Sequence, residues 1–189
     1  MGSDSDTRPV YVLVDGENID ATLGNSILGR RPRPEERPRW DRLLQFVRER
    51  FGADPVGLFF LAVGSELPMT FVQALLSIGY RPVPLTGPPS DKVVDIAIQR
   101  TLEALRDRAA DVVLVSNDGD FVEGVEALLD GRRRVAAVGF TEFRNHAFSL
   151  LTRKGLECVD LEFDVDAFTA ELPRIRVIPI DEFDPFEFL

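Results

Sequence analysis

The chain has 189 residues, 44% of them apolar, with 14 phenylalanines and a formal net charge of −10. A chain of this length buries about 70% of the surface that its unfolded form exposes, so one domain with its own core is expected and general disorder is excluded. Cys158 is the single cysteine, which rules out an intrachain disulfide, a zinc–cysteine cluster and an iron–sulfur centre, and points to a reducing compartment.

From Val10 to Leu161, short apolar runs alternate with amphipathic segments, the pattern of strand–helix units on a parallel sheet. Residues 1–9 have no apolar signal core and read as a disordered lead-in. The first strand is expected over Val10–Val14, followed by an excursion over residues 24–39 that holds three prolines and five arginines and lacks periodicity. A helix is predicted from Trp40 to Phe51, with Gly52 as its stop, and then a strand from Val56 to Val63. That strand is also the longest apolar stretch, far short of the roughly 20 residues of a membrane span, so a cytoplasmic protein with no membrane partner is expected. There follow a helix over Leu67–Ile78 ending at Gly79, a strand over Arg81–Leu85, a helix over Asp91–Arg108 and a strand over Val112–Ser116. The last units are a helix over Asp120–Leu129 before Gly131, a strand over Val135–Phe140, a helix over Glu142–Lys154 and a strand over Glu157–Leu161. Several strands are apolar throughout, as strands covered on both faces are.

The charge is uneven. Glu157 to Leu189 contains ten acidic and two basic residues, so the preceding body is nearly neutral. Residues 162–189 read as an acidic extension carrying Phe163, Phe168, Phe183, Phe186 and Phe188, expected to dock these rings on the core, with Arg176–Ile180 as an edge strand interrupted by Pro179.

Ligands of open parallel sheets bind outside the carboxyl ends of the strands, and here those ends are acidic. The first strand runs into Asp15, Gly16, Glu17 and Asn18; the fourth runs into Ser116, Asn117, Asp118, Gly119 and Asp120. Asp95 falls on the inward stripe of the first turn of the helix that begins near Ser90. Each acid has a structural use as well: Asp15 suits a turn before Gly16, Asp118 suits an N-cap, and Asp95 and Asp120 suit the positive end of a helix. Four carboxylates brought together repel one another unless a cation compensates them, and an oxygen-only donor set selects Mg²⁺ or Mn²⁺. Metal ligands are therefore expected at Asp15, Asp95, Asp118 and Asp120. Asn18 would hold a metal-bound water or fix Asp15, and Lys92 would meet a phosphate oxygen.

The strings Val14–Asn18, Asp91–Ile98 and Ser116–Phe121 resemble the three motifs of the NYN-domain family, LabA-like branch, over about Val10 to Leu161. The resemblance implies a PIN-like α/β fold: a Rossmann-like three-layer sandwich with a central, mainly parallel sheet. It also implies metal-dependent cleavage of RNA, with Asp15, Asn18, Asp95, Asp118 and Asp120 as the catalytic set. Many members carry a glycine after the motif lysine and a later helix acid, where this chain has Val93 and then Gln99 and Thr101, so four acids are expected rather than five.

A polyanionic substrate needs cations near the acids. Arg30, Arg31 and Arg33, with Lys92, Ser116 and Asn117, are the expected contacts to single-stranded RNA, while Trp40 either stacks on a base or anchors the core. His146 reads as a helix residue, Cys158 as part of a strand and Arg132–Arg134 as an exposed turn. A catalytically weak RNA-binding module and another magnesium-dependent phosphohydrolase stand as alternatives. The phenylalanine-bearing tail and the isoleucine-rich edge permit a homodimer.

Overall fold

The computed structural model describes residues 8–175, 178 and 180–189. Six strands form one sheet: β1 (Val10–Asp15), β2 (Pro55–Ala62), β3 (Tyr80–Leu85), β4 (Asp111–Val115), β5 (Val135–Gly139) and β6 (Glu157–Asp160). Their order is β3-β2-β1-β4-β5-β6, and all neighbours are parallel. The helices are α1 (Gly16–Ala21), α2 (Trp40–Phe51), α3 (Met69–Ile78), α4 (Val93–Leu105), α5 (Val122–Glu126) and α6 (His146–Leu151). The six strands predicted between Val10 and Leu161 each lie within a residue of their expected bounds. α1 was not predicted, nor was its continuation as a wider π-type coil over Thr22–Leu28, which takes up part of the excursion.

Side chains alternate across each strand, so the sheet has two apolar faces. Val10, Val12 and Val14 join one core with Trp40, Leu43, Leu44 and Val47 of α2, while Leu13 joins the other with α4, α5 and α6 through Ile98, Val125 and Phe148. This is a three-layer α/β sandwich. Trp40 is buried, edge-on to Phe59 at 5.2 Å, and its carbonyl accepts from the Tyr80 hydroxyl at 2.9 Å, so it anchors the core and is closed to a base.

The winding explains the segment after β6. The connections of β1 and β2 run on the α2 face, and those of β3, β4 and β5 on the other. No helix is therefore left to cover β5 and β6 on the α2 side. Leu161, Val165, Ala167, Phe168 and Leu172 fill that place. The expectation for the extension thus holds for one phenylalanine: Phe168 is buried, 5.9 Å from Phe140, whereas Phe163, Phe183, Phe186 and Phe188 are exposed. The predicted edge strand includes Arg176, Val177 and Pro179, which lie outside the described residues. Among the described residues no helix is long and apolar enough to cross a membrane.

Arg174 pins this segment. Its side chain is 1% exposed; it donates to both oxygens of Asp160 at 2.8 and 2.7 Å, to Glu162 at 3.1 Å and to Glu142 at 2.7 Å. It also lies over the Phe163 ring, 4.4 Å from its centre. Burial alone would raise the Asp160 carboxyl, but Arg174 and the N–H groups of Phe163 and Thr141 hold it well below the usual carboxylate range. Asp160 therefore contributes stability above the ordinary carboxylate pKa and loses that contribution as the pH falls through its own.

Removing one partner of a buried ion cluster leaves the others uncompensated. Arg174→Met is expected to cost about 3–5 kcal/mol in urea unfolding at neutral pH, against less than about 1 kcal/mol for Arg48→Ala, whose ion pair with Asp54 is exposed. Equal losses in the two variants would show that the cluster does not hold the segment.

Candidate metal centre

β1 and β4 are neighbours, and the chain leaves their carboxyl ends toward opposite faces of the sheet. The crevice at such a reversal is the general ligand site of open parallel sheets. Asp15 closes β1, and the loop after β4 carries Asp118 and Asp120 beside it. α4 begins over the same edge and adds Asp95 from its first turn. A depression of about 360 Å³ there is lined by Asp15, Glu17, Asn18, Asp91, Lys92, Asp95 and Asp118, among others.

Asp95, Asp118 and Asp120 each present a carboxylate oxygen, and the three lie within 4.8 Å of one another. Three hard oxygen donors from two elements fit a divalent cation such as Mg²⁺ or Mn²⁺. Lys92 stands over them, its ammonium 3.6 Å from both Asp95 and Asp120. It is exposed and is held protonated more firmly than usual, by the charge of Asp120 first and then those of Asp95 and Asp118. The Asp95 carboxyl is raised, by burial first and then by the Asp118 charge, with Lys92 opposing. Asp118 also serves its alternative role, accepting from the Asp120 N–H at 2.9 Å as the cap of the short 3₁₀ turn Gly119–Phe121. Capping uses one oxygen and leaves the other for an ion.

Asp15 lies deeper, 2% exposed. One oxygen accepts from the Asn18 N–H at 3.2 Å and the other from the Ser116 hydroxyl at 3.0 Å. Burial pushes its carboxyl up to about 6, against these two hydrogen bonds and with repulsion from Asp95 and Glu17. It shares the depression with Asp95 and Asp118 but is outside the 4.8 Å group that these two form with Asp120.

Ser116 and Asn117, expected to touch substrate, are buried and act as struts. The Ser116 oxygen donates to Asp15 and accepts from the Asp118 N–H at 3.1 Å, tying two acids to one hydroxyl. The Asn117 carbonyl oxygen accepts from the Phe140 N–H at 2.8 Å; a Cβ on Gly139 would come within 2.2 Å of it, so glycine is required there. The Asn18 side chain accepts from the Asn117 N–H at 2.9 Å, which fixes α1 to the β4 loop and spends its oxygen away from any metal water.

Among the described residues no arginine lines the depression. Arg30 is paired in a fork with Glu36 at 2.6 and 2.7 Å, on a surface it shares with Phe168–Pro173. Arg31 and Arg33 are exposed on the same excursion. Glu17 and Asp91 line the depression and were not singled out from the sequence. Their signal was proximity, since each sits inside a motif already marked by Asp15 or Asp95.

A family model for the NYN domain matches residues 9–161. Comparison with the curated proteins gives no match.

The raised Asp15 pKa has a defined sign. The folded chain binds this proton more tightly than the unfolded chain, so ionising Asp15 costs stability as the pH rises from the usual carboxylate range through about 6. In EDTA, Asp15→Asn is expected to be more stable than the wild type at neutral pH by roughly 3 kcal/mol. That advantage should vanish below about pH 4, and calorimetry across this range checks it. A constant difference at every pH would contradict the assignment.

Proposed function

The chain belongs to the NYN domain family, and from that premise we propose that it is a metal-dependent ribonuclease that hydrolyses RNA phosphodiester bonds at the aspartate cluster. The family places it among the PIN-like nucleases, and the three convergent carboxylates fit a divalent metal. The observation that carries the reading is the gathering of Asp95, Asp118 and Asp120 within 4.8 Å at the strand-order reversal. These three residues would hold Mg²⁺ or Mn²⁺, with Asp15 behind them. When bound, such an ion activates water and stabilises charge on the leaving oxygen.

The residues of the chain divide the remaining work. Ser116 and the Asn18 N–H keep Asp15 in one orientation, and Ser116 holds the Asp118 loop to it. Lys92, the only cation lining the depression among the described residues, pairs with Asp95 and Asp120 and is exposed enough to turn toward a phosphate oxygen. Gln99 donates to the Asp120 carbonyl at 3.2 Å and Thr101 to the Ala97 carbonyl at 2.7 Å. Neither supplies a further carboxylate, which supports one ion and modest turnover. The Asp91–Asp95 and Ser116–Asp120 strings support the LabA-like branch, and an unpaired cysteine suits the cytoplasm.

Cleavage of single-stranded RNA is expected with Mn²⁺ or Mg²⁺ and none in EDTA. Asp118→Asn should lose more than the ~100-fold that removal of an outer-shell partner costs, and Ser116→Ala roughly 10–100-fold in Mn²⁺ affinity by titration calorimetry. Metal-independent cleavage, or full activity in folded Asp118→Asn, would reject the reading.

A further inference from the structure

The acids occupy the carboxyl edge of the sheet; the opposite edge has the reverse chemistry. Before β1, β4 and β5 the chain forms a depression of about 420 Å³ lined by Arg8, Arg106, Asp107, Arg108, Ala109, Arg132 and Arg133. Five of these seven residues are arginine, in a chain with ten more negative than positive charges.

The arginines are not all needed for the fold. Arg133 is a strut: it is buried, and donates to the Leu105 and Arg106 carbonyls at 2.6 and 3.0 Å and to Asp130 at 3.1 Å. It therefore satisfies the negative end of α4 without help. Arg132 is largely exposed and 3.6 Å from the same Asp130. Arg106 and Arg108 have no carboxylate within ion-pair distance among the described residues, while Arg8 donates to the Arg132 carbonyl. Guanidinium groups gathered around one depression repel unless an anion lies among them. Several forks spread over one open depression suit successive phosphates on a strand better than a single small anion.

We propose that this depression binds the phosphates of the RNA strand at a distance from the point of cleavage. α4 connects the two places. Its first turn carries Asp95 and its end reaches Arg106, a separation on the order of 20 Å at 1.5 Å per residue, which several nucleotides of single strand span. Chains too short to reach across α4 lose this anchorage, so the protein prefers longer RNA. The proposal rests on the ribonuclease reading for its ligand, but its test reads binding rather than cleavage.

The full chain is titrated in EDTA with a fluorescent 12-nucleotide single-stranded RNA at several salt concentrations, with circular dichroism as the control for folding. Arg106→Ala/Arg108→Ala is expected to bind roughly tenfold more weakly, with a slope of log K against log salt shallower by about 1.4, because each lost phosphate contact removes about 0.7. Arg48→Ala, outside the depression, should match the wild type in both quantities. Unchanged affinity and slope in the folded double variant overturn the proposal. So does a result in which inorganic pyrophosphate binds this edge and the RNA does not. Absence of cleavage with metal would instead remove the ribonuclease reading while leaving the binding result standing.

Discussion

Mutual repulsion of carboxylates at one edge of the sheet is the constraint around which this molecule is arranged. Asp15, Asp95, Asp118 and Asp120 come from β1, from the loop after β4 and from α4, and none would choose the company of the others in water. The sheet forces them together because β1 and β4 are adjacent and end at the same level, with Val14 beside Val115. A lattice of neutral hydrogen bonds then keeps them there. Ser116 joins two of the acids, Asn18 joins α1 to Asn117, and Asn117 joins β5. Lys92 supplies a positive charge from the solvent side. The site is rigid where it meets the sheet and soft where it meets solvent.

Much of the fold could be read in advance because parallel strands covered on both faces must be apolar without interruption. Val10–Val14, Val112–Val115 and Val135–Val138 announce themselves in that way. α1 did not, because Glu17, Asn18 and Asp20 look like turn residues, and its one buried residue is Ile19. The candidate acids were visible for a topological reason, each falling at a strand end or a helix start. The direction taken by Ser116 and Asn117 was not, since a polar residue just past a strand can face either substrate or core with the same local pattern. The arginine excursion misled for a similar reason. Its composition suggests a polyanion, but Arg30 and Arg37 are paired with Glu36 and Asp20, and pairing across a loop leaves no periodic trace.

Net charge gave little guidance because the molecule separates its charges along the strand direction. One depression at the carboxyl ends of the strands is lined mostly by acids and one at the amino ends mostly by arginines, with the apolar sheet between them. A formal charge of −10 therefore describes neither edge. The field that an approaching ion meets depends on which end it approaches, and the low-dielectric core keeps the two ends from cancelling.

The position of Arg174 bears on where the folding unit stops. The family match ends at Leu161, yet the guanidinium that neutralises Asp160, Glu142 and Glu162 arrives thirteen residues later, after a stretch that also covers β5 and β6. A fragment trimmed to the family boundary would have bare valines on one side of the sheet and orphaned carboxylates at its rim. In this chain the apolar cover of the sheet and the buried ion cluster run on past the end of the family match, the cover through Leu172 and the cluster through Arg174.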